Sequence, residues 1–126
     1  MEENLHERLV ILQEANLIDD EVAMFCKQVI TFFSQEQWVW KQDNYEMFIT
    51  HLAMAASREK QGKPEMIDNS IVIESIKCQE EEKYRIGLEI LDNLLKLTKI
   101  QFSKSEKDMI FIHICSMLRS REENTL

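Results

Sequence analysis

The sequence predicts an all-α protein, a compact bundle of five or six helices. Three observations predict it. Two glycines and one proline in 126 residues leave too little turn material for a sheet of short strands. Apolar residues return every third or fourth position through most of the chain, which is the period of a helix face. Asp43 is followed three residues on by Glu46, and Ser103 by Glu106, the spacing of a capping box at a helix start.

The elements follow in order. Leu5, Leu9, Leu12 and Ala15 make a helical stripe over about 3–17. Asp19 and Asp20 offer an N-cap for a second helix carrying Val22, Phe25, Cys26, Val29, Ile30 and Phe33 to about residue 36. The stretch "QWVWKQD" reads as a linker whose two tryptophans dock on the bundle. The Asp43/Glu46 box opens a third helix, which ends near Gly62-Lys63-Pro64, the clearest break in the chain. Asn69 or Asp68 caps a fourth element through "SIVIESIK". A long amphipathic helix then turns Tyr84, Leu88, Leu91, Leu94, Leu95 and Thr98 inward. The Ser103/Glu106 box opens a last helix over about 104–121. No linker or low-complexity segment divides the chain, so one domain is expected over 1–126, with its core at about 10–120.

Composition narrows the function. A formal net charge of −8, with no cluster of lysine and arginine, sets the average field against DNA and RNA. No run approaches the roughly 18 apolar residues of a membrane span. The N-terminal "MEENLHERLV" lacks the basic region and apolar block of a signal peptide; a cytoplasmic protein is expected. Cys26, Cys78 and Cys115 are far apart and form no CxxC pair, which signals neither a disulfide framework nor a zinc site and predicts buried thiols. There is no GxSxG, P-loop or glycine-rich turn. Neither an enzyme nor a cofactor is expected.

Two histidines remain. "FITHL" (48–52) and "FIHI" (111–114) each set a histidine inside an otherwise apolar helix. At about 100° per residue, the apolar centre of the third helix falls among Phe48, Ile49, Leu52 and Ala56. His51 lies on its flank, with Arg58 seven residues on and so on the same side. In the last helix Ile110, Phe111, Ile114 and Leu118 form the apolar face; His113 is again on the flank, seven residues after Glu106. Two readings stand side by side. In one, both histidines are boundary residues with ordinary hydrogen bonds and Arg58 is a solvated charge. In the other, a neutral flank imidazole is a nucleophile, and an arginine beside it stabilises an arriving phosphoryl group. A metal site would want HxxxH or ExxH around His51 or His113, and neither is there. His6 reads as surface.

"HLAMAASR", with alanine at +4 and arginine at +7 from the histidine and a glycine shortly after, resembles the first motif of the PTS regulation domain (PRD) family. "SEKDMIFIHI", with Glu106 seven residues before His113, resembles the second motif. The resemblance spans about 10–120. It departs at "DNS", where many members have asparagine-proline, and at Asp108, where a small residue is usual. The resemblance implies a helical regulatory module of the antiterminator and transcriptional-activator type, here a stand-alone single PRD. It implies phosphorylation of His51 and His113 by HPr or a sugar-specific enzyme IIB, with Arg58 stabilising the phosphate and Glu106 supporting the second motif. It also implies a homodimer controlling carbohydrate-related gene expression or a partner protein. The alternative is a helical adaptor without covalent chemistry, in which "WVW" and Met47, Met54, Met109 and Met117 form a contact surface.

Overall fold

The computed structural model describes residues 2–35 and 40–125. Among them are six α-helices: α1 (Glu2–Glu14), α2 (Asp20–Gln35), α3 (Gln42–Lys60), α4 (Ser70–Gln79), α5 (Glu81–Leu95) and α6 (Lys104–Thr125). The described residues contain no strand. The protein is all-α, as the sequence predicts.

The chain ends its helices where backbone chemistry forces it to. Asn16 takes a positive φ of 62°, and the amides of Asn16 and Leu17 return to the carbonyls of Gln13 and Leu12, each at 3.0 Å. That is a Schellman closure with asparagine in the left-handed position, so α1 stops short of residue 17. Gly62, at φ 72°, closes α3 the same way: Gly62 N–H donates to Glu59 O at 3.0 Å, and Lys63 N–H to Arg58 O at 2.9 Å. Asp19 caps α2 by accepting from Val22 N–H at 2.9 Å.

Other expected caps do not form. α3 begins at Gln42 with Lys41 in the cap position and no side-chain cap. Asp43 therefore lies inside the first turn, where a carboxylate favours the helix dipole instead, and Glu46 turns to Arg8 at 3.6 Å. Asn69 precedes α4 without capping it; Asp68 accepts from Ser70 N–H at 2.9 Å.

α6 is the axis of the bundle, packed on α5 along one side and α3 along another, while α2 joins α1 to α3. The core is one cluster that includes Leu5, Leu9, Phe25, Ile49, Leu94, Phe111 and Leu118. Phe33 sits among Trp40, Tyr45 and Phe48, all edge-on with centroids 5.5, 5.7 and 5.8 Å away, the geometry that aromatic quadrupoles favour. Trp40 thus docks on the bundle as expected; Trp38 lies outside the described residues.

Four expectations are corrected. Leu88 is 39% exposed. The face of α5 that meets α6 is rotated onto Gly87, Ile90, Leu91 and Leu94, because Gly87 allows the close approach: a Cβ there would stand 2.9 Å from Phe111 and 3.1 Å from Cys115 Sγ. Thr98 lies beyond the end of α5. Met117 is buried in the core rather than on a contact surface, and Cys78 is exposed where a buried thiol was expected. Burial pushes the Cys26 thiol up to about 12 and the Cys115 thiol to about 11, which makes both poor nucleophiles.

Candidate functional site

α3 and α6 cross the molecule antiparallel, and three polar rungs join them. Asn44 donates to Ser120 Oγ; His51 stacks on His113; Arg58 is paired with Glu106. The steps are seven residues on each helix, ascending on α3 and descending on α6. Seven residues are almost two turns, so each helix keeps its polar positions on one face, and antiparallel packing sets them opposite one another. The signal was present in the sequence as two sevenfold series.

In the middle rung the imidazoles lie 4.4 Å apart between centroids and 11° from parallel. His51 is exposed and His113 half-buried, so the pair is open to solvent from the His51 side. Burial, and next the neighbouring His51 charge, hold His113 below the usual imidazole range. The consequence for stability has a definite sign. Below about pH 6.5 the unfolded imidazole binds a proton that the folded one still resists. Stability should therefore fall as pH drops through that window and level off above it. Urea midpoints across pH 5 to 8 check this, and His113→Asn should flatten the slope.

The lower rung is an ion pair. Arg58 donates to Glu106 through Nε at 2.8 Å and Nη2 at 2.9 Å. Glu106 is 0% exposed and also accepts from Glu65 N–H at 2.9 Å. Burial alone raises its carboxyl, but the Arg58 and Glu65 bonds outweigh that and hold it below the ordinary carboxylate range.

Half of the second capping box is real: Ser103 Oγ accepts from Glu106 N–H at 3.2 Å. The other half is reassigned. Glu59 reaches across from α3 and accepts from Ser103 N–H, which leaves the Glu106 carboxylate for Arg58. Sequence reasoning placed Arg58 and Glu106 on the right faces and missed that they bind each other. It also missed Glu59, Glu65 and Ser105; Ser105 accepts from Ile67 N–H at 2.8 Å and donates to Ile67 O at 3.0 Å. The Glu65 and Ser105 contacts involve the loop after α3, which carries no periodic signal, and the Glu59 contact joins the end of α3 to the residue before α6. His6, expected at the surface, is half-buried.

His51, Arg58, Glu106 and His113 line one cleft, walled by Phe48, Leu52 and Ile110, of only about 20 Å³. Small-molecule sites need some 300–1,000 Å³; this one has room for about a water. Any reacting group must come from a visitor at the rim. A larger hollow of about 550 Å³ lies at the α1–α2 turn, where Lys60 is already paired with Asp19 and Glu21, each at 2.5 Å. No group of three metal-ligating side chains occurs among the described residues. No described helix is long and apolar enough to cross a membrane.

Neither a curated protein nor a solved structure matches the chain. A family model does: the PRD domain matches residues 27–116, well over half of the 126 and inclusive of all three rungs but Ser120. Domains of this family are regulatory rather than catalytic, and phosphotransferase-system proteins generally phosphorylate them. With both histidines inside that match, the chain belongs to the PRD family.

Proposed function

We propose that this chain is a regulatory module whose His51/His113 pair accepts a phosphoryl group from phosphorylated HPr or a phosphorylated enzyme IIB. The single observation that carries the reading is the stacked pair itself, set at the rim of a packed bundle beside Arg58.

The chemistry follows from the geometry. The His51 ring is exposed, so a donor can bring its phosphorus to one ring nitrogen. That nitrogen's lone pair forms the new N–P bond as the bond to the donor breaks, and the donor side chain leaves with the electron pair. A depressed His113 favours a neutral ring, which is the nucleophilic form. Arg58 lies on the same face of α3, and long helical side chains lean towards the helix N-terminus, here towards His51. The product adds up to about two negative charges by analogy with other phospho-residues, on a chain already at −8. Through that charge the module controls carbohydrate-related gene expression or a protein partner, by association with itself or with the partner.

Incubation with each phosphorylated donor and detection of acid-labile label tests the reading. Label is expected on the wild type, still taken up by His51→Ala and by His113→Ala singly but more slowly, and lost in the double variant. No label from any cognate donor would leave a helical adaptor without covalent chemistry as the better account.

A further inference from the structure

The segment 64–69, between α3 and α4, is held down by very little. Met66 is 79% and Ile67 49% exposed, so no apolar packing anchors its outer side chains. Its attachment to α6 is polar: Glu65 N–H to Glu106 at 2.9 Å, Ile67 N–H to Ser105 Oγ at 2.8 Å, and Ser105 Oγ back to Ile67 O at 3.0 Å. Arg58 Nη1 adds a 4.0 Å approach to the Glu65 carboxylate.

Arg58 therefore has two claimants. At rest its guanidinium neutralises buried Glu106, and Glu106 in turn holds Glu65. A phosphoryl group on either ring would stand at the rim of the same cleft with about twice the charge of a carboxylate, and Arg binds phosphate in the same forked geometry. We infer that the segment 64–69 is a strap that reports the state of the histidine pair: phosphorylation draws Arg58 from Glu106, and the strap lets go. This rests on the phospho-acceptor reading above.

The release has a physical cause. Without Arg58, Glu106 is a buried carboxylate with one N–H donor, which a protein interior does not tolerate. It takes a proton from water or turns out towards solvent. Either way Glu65 N–H loses a charged acceptor, and charge-assisted bonds are about twice as strong as neutral ones.

Amide hydrogen exchange of the full chain, read residue by residue by NMR, tests this. Potassium phosphoramidate serves as the probe: a ring nitrogen displaces ammonia at phosphorus, so no protein donor is needed. Phosphorylated wild type should exchange Glu65 and Ile67 amides about tenfold faster or more, with Ile49 and Ile114 unchanged. The same treatment of the His51→Ala/His113→Ala double variant should change nothing. Glu106→Gln should accelerate Glu65 exchange without any phosphoryl group. Unchanged Glu65 and Ile67 exchange in protein shown by mass to be phosphorylated overturns the strap, and so does an unmoved Glu65 in Glu106→Gln. If phosphoramidate moves the strap but no protein donor labels the chain, the proposed function fails and the strap stands. If neither reagent modifies a histidine, both fall.

Discussion

Arg58→Ala should lower stability by about 2–3 kcal/mol at neutral pH, more than Glu106→Gln, which should cost about 1 kcal/mol. The asymmetry comes from burial. Arg58 keeps 27% of its side chain exposed and Glu106 none, so an orphaned arginine turns to water at little cost, while an orphaned carboxylate must first take a proton or leave its buried position. The partial exposure of Arg58 is the reason for placing the cost below the 3–5 kcal/mol typical of a fully buried pair. The pH dependence separates this from a simple loss of packing. In the wild type the Glu106 carboxyl is held low, so the pair's contribution is present above the unfolded carboxylate value of about 4.3 and fades as pH falls below it. In Arg58→Ala, burial is opposed only by the Glu65 amide and raises the carboxyl. The variant's deficit should then be largest at pH 7 and shrink as acid protonates Glu106. Urea unfolding at pH 7 and pH 5 measures it; a deficit under about 0.5 kcal/mol at pH 7 would mean that Glu106 finds another partner.

The second large effect concerns stoichiometry. Exhaustive treatment with a phosphoryl donor should yield one phosphoryl group per folded chain, on His51 or on His113 but not on both. The rings are stacked at 4.4 Å. Two dianionic groups about 6–8 Å apart repel by ~2–3 kcal/mol even at the dielectric constant of water, and by more beside an apolar wall. One arginine in the cleft cannot neutralise four charges. The second transfer is thus disfavoured by roughly 30- to 100-fold. Intact-mass measurement without acid should show a single adduct as the dominant product, and the His51→Ala and His113→Ala variants should each still take one. A doubly modified wild-type species as the main product would show that α3 and α6 separate on the first transfer.

Much of this molecule was legible one helix at a time. Apolar stripes, capping signals and the Gly62-Lys63-Pro64 break together pointed to the elements that form the six helices, because a helix face is written in neighbours three and four residues apart and its ends in local cap chemistry. Gly62 marked the end of α3 because a left-handed residue is required there. The flank positions of His51 and His113 came from the same periodicity. Where local rules competed, reading failed. Asp43 and Glu46 have the spacing of a cap, yet the cap position falls two residues earlier, on Lys41, and Glu46 pairs with Arg8. Leu88 has the stronger apolar signal, yet Gly87 faces α6, since closeness of approach outweighs side-chain area at that crossing.

By itself the sequence determined the helical class, the two flanking histidines, and their family, because these depend on periods and motifs within single segments. Only the tertiary structure decided that two flanks, one at position 51 and one at 113, face each other ring on ring. It alone decided that the charge of Arg58 is committed to a buried glutamate. A helix carries its own face in its order of residues, but which face it meets, and in which direction, is settled by the packing of the whole core.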